Sequence, residues 1–369
     1  MFVKQNKKVF ALVLVIALLT LAGCGGGTKP APAPAENPAA PVEKAPPAQR
    51  IEAKFASEEI EGDFMTVWAE KFADEMKNST NLDIKVYPFG TLGESRDINE
   101  LCQLGVVQYV FSDYAWISSF VPEAQVLALN YIWPKERMPE VLGWVVNKGE
   151  FMPVLEKWFR TKGLVPLGVM YEGWQTITSN KPINSLGDMK GFKIRVMGSN
   201  LLIEDYKAYG FTPTPITYGE VYTALQTKIV DGQVNPIFAI RSAKFYEVQD
   251  YLTQAYNEPF LGIPTVNAQF FDSLPKETQE KMRKFWKDNV VTSGKWIDDR
   301  HKVDLEAILK ERPQIKVTEL SDAEIDKMKE RAKTVYPKFL EIGGSGAQEV
   351  LDVLLKDIEN AKKELNIAR

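Results

Sequence analysis

From Thr28 to Gln49 the chain is dominated by Pro and Ala with scattered charges. That composition buries too little apolar surface to fold, and its prolines keep it extended. Any folded core therefore begins near residue 51. The roughly 320 residues that follow exceed what one hydrophobic core usually organises, so two domains are expected.

Upstream, Lys4, Lys7 and Lys8 precede an apolar run from Val9 to Ala22. The run is shorter than the ~20 residues of a comfortable membrane span and reads as a signal peptide over residues 1–23. Leu21-Ala22-Gly23-Cys24 looks like the lipobox of bacterial lipoproteins, which makes Cys24 the expected lipidation site and residues 24–50 a tether from the membrane. Losing the three leader lysines lowers the basic count from 45 to 42 against 49 acidic residues. No basic stripe survives, and nucleic-acid binding has little support. The other cysteine, Cys102 beside Leu101 and Leu104, reads as buried and inert.

Beyond the tether the pattern alternates strand and helix, giving an α/β fold. Strands are expected at 51–56, 82–87, 165–170 and 266–271, and helices at 64–77 and 95–104. A long helix starts at Pro275 and runs beyond Trp286. Ser185 with Asp188, Thr217 with Glu220 and Ser321 with Glu324 have capping spacing. From Ser321 onward the chain reads as charged amphipathic helices broken at Gly343-Gly344.

Gly191-Phe192-Lys193-Ile194-Arg195-Val196 is followed by Gly210-Phe211-Thr212-Pro213-Thr214-Pro215 and by Asp231-Gly232-Gln233-Val234-Asn235-Pro236. These segments put Arg195 and Asn235 at strand edges, and clefts of open α/β sheets lie at strand ends. A guanidinium there points to an anionic ligand, which its fixed fork of donors matches. With Leu92-Gly93-Glu94, Thr178-Ser179-Asn180 and Tyr218-Gly219-Glu220-Val221-Tyr222, these segments resemble the DctP family of tripartite ATP-independent periplasmic (TRAP) transporter solute-binding proteins.

The resemblance implies a two-lobed, periplasmic-binding-protein-like fold with a ligand cleft between lobes and a long helix spanning both. It also implies TRAP permease membrane subunits as partners and an extracytoplasmic location. Lobe I is expected over 51–172, lobe II over 173–258, a return to lobe I with the connecting helix over 259–320, and C-terminal helices over 321–369. Arg195 matches the family arginine that binds the ligand carboxylate, and Asn235 its polar partner. Gln175, in Gly173-Trp174-Gln175, replaces a second arginine found in many relatives, which favours a monocarboxylate. Trp174, Trp116 and Phe238 are candidate aromatic walls for an apolar or ring-bearing acid. Arg96 either adds a second positive charge to the cleft or pairs with Glu94 or Glu100 at the surface. Glu58 is a weaker candidate, and Glu220 reads as a capping residue.

No catalytic motif, metal-binding motif or cofactor fingerprint occurs, and the only histidine, His301, falls in a charged helix where exposure is expected. A binding protein rather than an enzyme is therefore expected. The competing readings are a secreted enzyme acting on an anionic small molecule and a ligand-sensing surface lipoprotein.

Overall fold

The computed structural model describes residues 50–367; the signal peptide, Cys24 and the tether lie outside the described residues. Among the described residues ten strands build one continuous sheet: β1 (Ile51–Ser57), β2 (Leu82–Tyr87), β3 (Tyr109–Asp113), β4 (Leu164–Pro166), β5 (Met170–Ser179), β6 (Lys193–Val196), β7 (Thr212–Pro215), β8 (Gly232–Asn235), β9 (Tyr251–Asn267) and β10 (Lys316–Glu319). Along its main path the order is β2-β1-β3-β9-β5-β8-β6-β7.

That order explains the two lobes. In the first lobe β2, β1 and β3 are parallel, and β3 meets the end of β9 antiparallel, from Asp113 opposite Gly262 to Tyr109 opposite Val266. In the second lobe β8 pairs with the end of β5, with β6 and β7 parallel beyond it. The Thr-Pro-Thr-Pro segment is β7, the edge strand, where a residue without an N–H breaks no inner ladder. Among the described strands, β5 and β9 run through both lobes. Their shared ladder breaks register between Tyr171 and Trp174 and again before Thr176, and positive φ at Gly173 (106°) and Tyr256 (48°) marks the same level. This irregular crossing is the joint at which β5 and β9 pass from one lobe to the other.

Helix Phe64–Ser79 covers the first lobe because Phe64, Trp68, Phe72 and Met76 recur every fourth residue and are all buried. They meet Phe55, Tyr109 and Phe111 around Trp286, which stacks on Phe72 at 5.3 Å and is fully buried. Each such side chain contributes roughly 1.5–3 kcal/mol by leaving water. Trp286 belongs to the 36-residue helix Lys276–Glu311. The far end of that helix sends Ile308 into a separate core with Ile237, Ile240 and Leu252 of the second lobe, so one helix ties the two lobes together.

Several local expectations change. Residues 266–271 are not a strand: β9 ends at Asn267, whose side chain accepts the Phe270 N–H and starts the helix Ala268–Ser273. The expected strand at 165–170 is two strands, β4 and β5. Ser321 caps its helix, but Glu324 completes no box, because its Oε2 accepts the Leu186 N–H at 3.0 Å. His301 is half-buried rather than exposed, and desolvation, then Lys302, pushes its pKa down to about 4. Cys102 is buried and its thiol is pushed up by desolvation, as an inert residue should be.

Candidate ligand-binding site

The chain turns that follow β1, β3, β6 and β8 converge on one cavity. It is a tight cavity of about 30 Å³, lined by Glu58, Glu59, Asp63, Asp113, Arg195 and Asn235 among its polar residues. Trp116, Tyr218, Phe238 and Phe260 give it aromatic walls, and Met65, Met197 and Ala239 complete the lining.

Arg195 extends from β6 and is 1% exposed. Its Nε donates to the Ile216 carbonyl at 2.9 Å, while Nη1 has no hydrogen-bond partner. Desolvation pulls its pKa down to about 10, against the attraction of Asp113, Tyr218 and Glu58. A buried guanidinium with an idle donor is unfavourable unless an anion completes it. Asn235, at the end of β8, is 3% exposed and lines the same cavity. Its amide nitrogen donates to Gln233, whose own amide reaches Thr178 at 3.3 Å. Thr178 in turn donates to Gln249 at 2.9 Å, so Thr178 of β5 buttresses Asn235 through Gln233.

The acidic groups come from the turn after β1 and the end of β3. Glu59 accepts the Met65 N–H at 2.6 Å; desolvation and then Asp63 push its carboxyl up to about 8. Asp63, pushed up to about 6 by desolvation, faces Arg300 of the long helix at 3.3 Å. Asp113 caps helix Tyr114–Ile117 by accepting from Ala115 and Trp116 at 2.7 and 2.9 Å. Burial raises it to about 6 despite those bonds. Glu58 accepts the Asp113 N–H at 2.7 Å and is held well above the usual carboxylate range by desolvation and by Asp113. Behind Glu59 lies Glu172, fully buried and likewise raised by desolvation and the Glu59 charge.

Among the residues singled out from sequence, Arg195, Asn235, Trp116 and Phe238 meet in this cavity, and so does Glu58. Gln175, Trp174 and Arg96 are not part of its lining. Gln175 is 1% exposed and lies beside the Tyr114 phenol at the joint between the lobes. Trp174 is wedged edge-on against Tyr171 and Tyr256, with centroids 6.4 and 5.9 Å away. Arg96 is exposed in the first turn of helix Ser95–Gln103. Glu220 lines no part of the cavity and takes the Thr217 hydroxyl at 2.7 Å. Sequence reasoning passes over Glu59, Asp63 and Asp113; the run Ser57-Glu58-Glu59-Ile60-Glu61-Gly62-Asp63 at the end of the first strand is the available signal.

Residues 55–342 match the family model for bacterial extracellular solute-binding proteins, family 7, DctP. The chain is 36% identical over 314 residues to the ectoine-binding periplasmic protein TeaA of Halomonas elongata, covering 84% of this chain and 91% of that one. It is 33% identical over 309 residues to the ectoine/5-hydroxyectoine-binding protein UehA of Ruegeria pomeroyi, covering 83% and 90%. Among solved structures, the ectoine-binding protein of the TeaABC TRAP transporter of Halomonas elongata superposes with a TM-score of 0.80 at 35% identity, over 84% of this chain and all of that one. A TRAP solute-binding protein of Desulfovibrio salexigens with bound orotic acid gives 0.79 at 29% identity, over 84% and 99%. These relatives are binding proteins rather than catalysts. The two lobes joined at β5 and β9, the buried arginine next to the end of β6 and the match over most of the folded chain place it in the DctP family of TRAP-transporter solute-binding proteins.

Proposed function

We propose that this protein captures a compact zwitterionic monocarboxylate of the ectoine kind and delivers it to a TRAP permease. The observation that carries the reading is the charge arrangement of one cavity. Its buried arginine offers an idle Nη1, and two carboxyl groups, Glu59 and Asp63, line the same enclosure. The arginine suits a carboxylate, the acids suit a delocalised cation, and Trp116, Tyr218, Phe238 and Phe260 suit the faces of a small ring. A dicarboxylate would bring a second negative charge toward those acids with no second guanidinium in the lining to meet it. That two relatives bind ectoine supports the same class.

In this reading Arg195 and Asn235 hold the carboxylate, and Trp116 closes over the ring from the first lobe. Gln175 and Trp174 act from the joint between the lobes, setting how far the lobes close rather than touching solute, and Arg96 acts at the rim. Lobe I spans 51–172, lobe II spans 173–258, and the chain returns through 259–320. Lipid on Cys24 with the Pro/Ala tether keeps the protein at the membrane within reach of its permease.

A plain aromatic monocarboxylate is the second reading, favoured by the aromatic walls and by the orotate-bound relative. Calorimetric titration of the purified protein with ectoine, orotate and succinate separates them. Tightest binding of ectoine is expected; preference for orotate supports the second reading, and preference for succinate overturns both.

A further inference from the structure

Three elements meet at a deeper polar cluster that lies outside the lining of the solute cavity. Helix Asn200–Ala208 brings Asp205 and Tyr206, β9 brings Asn257 and Glu258, and helix Tyr114–Ile117 brings Tyr114. Asp205 and Glu258 are fully buried, Tyr206 is 1% exposed and Asn257 2%.

Neither carboxylate oxygen of Asp205 has a hydrogen-bond partner, and neither has the carboxamide oxygen of Asn257. The Asn257 nitrogen is already engaged, donating to Asn130 Oδ1 at 2.6 Å, an oxygen that also accepts from the Tyr209 hydroxyl at 2.9 Å. Glu258 takes the Tyr114 hydroxyl on Oε1, and the Tyr206 phenol faces both acids. The charged groups acting on Asp205 are Glu258 and Glu204; Glu258 feels Asp113; Tyr209 and Tyr336 also face Asp205. None of these groups is a lysine or an arginine.

Two sealed acids with no basic side chain among these neighbours need either protons or a foreign cation. The surrounding donors decide which cation fits. They are oxygens throughout, from two carboxylates, a carboxamide and a phenol, with neither imidazole nor thiolate, a set that suits hard cations and disfavours zinc or copper. We propose that Asp205 and Glu258, with Asn257 Oδ1 and the Tyr206 oxygen, bind a hard metal cation of the Ca²⁺ or Na⁺ class. Among the described residues no three His, Cys, Asp or Glu side chains gather as a metal cage; this site draws half its ligands from Asn and Tyr. The ion fastens a second-lobe helix to β9 two residues before Phe260, which lines the solute cavity. It displaces the protons that the acids carry without it.

The test uses the purified chain stripped with chelator and dialysed separately against Na⁺, K⁺, Mg²⁺ and Ca²⁺, with retained metal and melting temperature both measured. Retention of one Ca²⁺ or Na⁺ per chain is expected, with a saturable rise in melting temperature. Asp205→Asn and Glu258→Gln should abolish both, while Glu59→Gln in the solute cavity should keep them. If either variant at the deep site fails to fold, the other carries the comparison. No retained ion, or an ion lost in Glu59→Gln and kept in Asp205→Asn, overturns the proposal.

Discussion

Trp116 of the first lobe occupies the space where Gly198 of the second would carry a side chain: a Cβ on Gly198 would stand 2.4 Å from Trp116 Cζ3. Gly198 follows β6, three residues after Arg195, so the tryptophan closes over the strand end that holds the buried guanidinium. Parting of the lobes would separate the two residues and free that space. Gly198→Val is therefore expected to leave the ligand-free melting temperature near its original value and to weaken solute binding about tenfold or more by depopulating the closed state. Calorimetry with small-angle scattering measures both effects; unchanged affinity and unchanged compaction on solute addition would refute the role of this contact.

Arg195→Ala should weaken binding by about 2 to 5 kcal/mol, because it leaves the solute carboxylate desolvated and unpaired. Arg195→Lys restores the charge and not the fork, and its affinity should fall between the two. The Nε bond to the Ile216 carbonyl also disappears in both variants. Ligand-free thermal melts therefore belong beside the titrations: a loss of affinity matched by unfolding would assign Arg195 to structure instead.

The strand-helix alternation of the first lobe was legible because its elements are local and strongly patterned, as in the fourth-residue spacing from Phe64 to Met76. Arg195 and Asn235 were legible because one sits next to the end and the other at the end of a short strand beside a distinctive turn. β9 was not: its 17 residues mix Pro259, Gly262 and Pro264 into a run buried on both faces, so no alternation marks it. The acids were hidden for a different reason. Glu59 and Asp63 look like a solvated charged turn until the long helix, more than 200 residues away, brings Arg300 against them. The sequence leaves Gln175 open between a ligand oxygen and a backbone carbonyl and offers Trp174 as a wall; that both lie outside the cavity lining, where β5 and β9 shift register twice, depends on a pairing that no local pattern reveals.

Gly173 carries the conformational load of that joint. Its φ of 106° lies where an L side chain is strained, although the nearest atom to an added Cβ would be Pro236 Cβ at an ordinary 3.5 Å. Backbone strain rather than collision therefore sets the effect, and Gly173→Ala should destabilise the protein by about 1 to 3 kcal/mol. Urea denaturation checks this. A variant as stable as the parent would mean that the joint relaxes without difficulty to negative φ.

If Glu59 meets the cationic end of the solute, ligand-free stability and solute affinity should respond to pH in opposite directions. Burial holds its folded-state pKa at about 8, whereas an unfolded glutamate titrates near 4.3. Across that interval the folded chain keeps a proton that the unfolded chain has lost, so its stabilising contribution is complete below the unfolded pKa and disappears as pH rises through 8. His301, pushed down to about 4, works oppositely below the ordinary histidine pKa, which leaves pH 6.5 to 8 as the informative window. There the ligand-free melting temperature should fall with rising pH. Affinity for a zwitterion should rise, because its cationic end needs the ionised carboxylate. Glu59→Gln should flatten the affinity profile and reduce the slope of the stability profile, leaving the share of the other raised carboxyls, Glu58 and Glu172. Thermal melts and titrations at matched pH measure both; an affinity that falls between pH 6.5 and 8 would remove Glu59 from cation recognition.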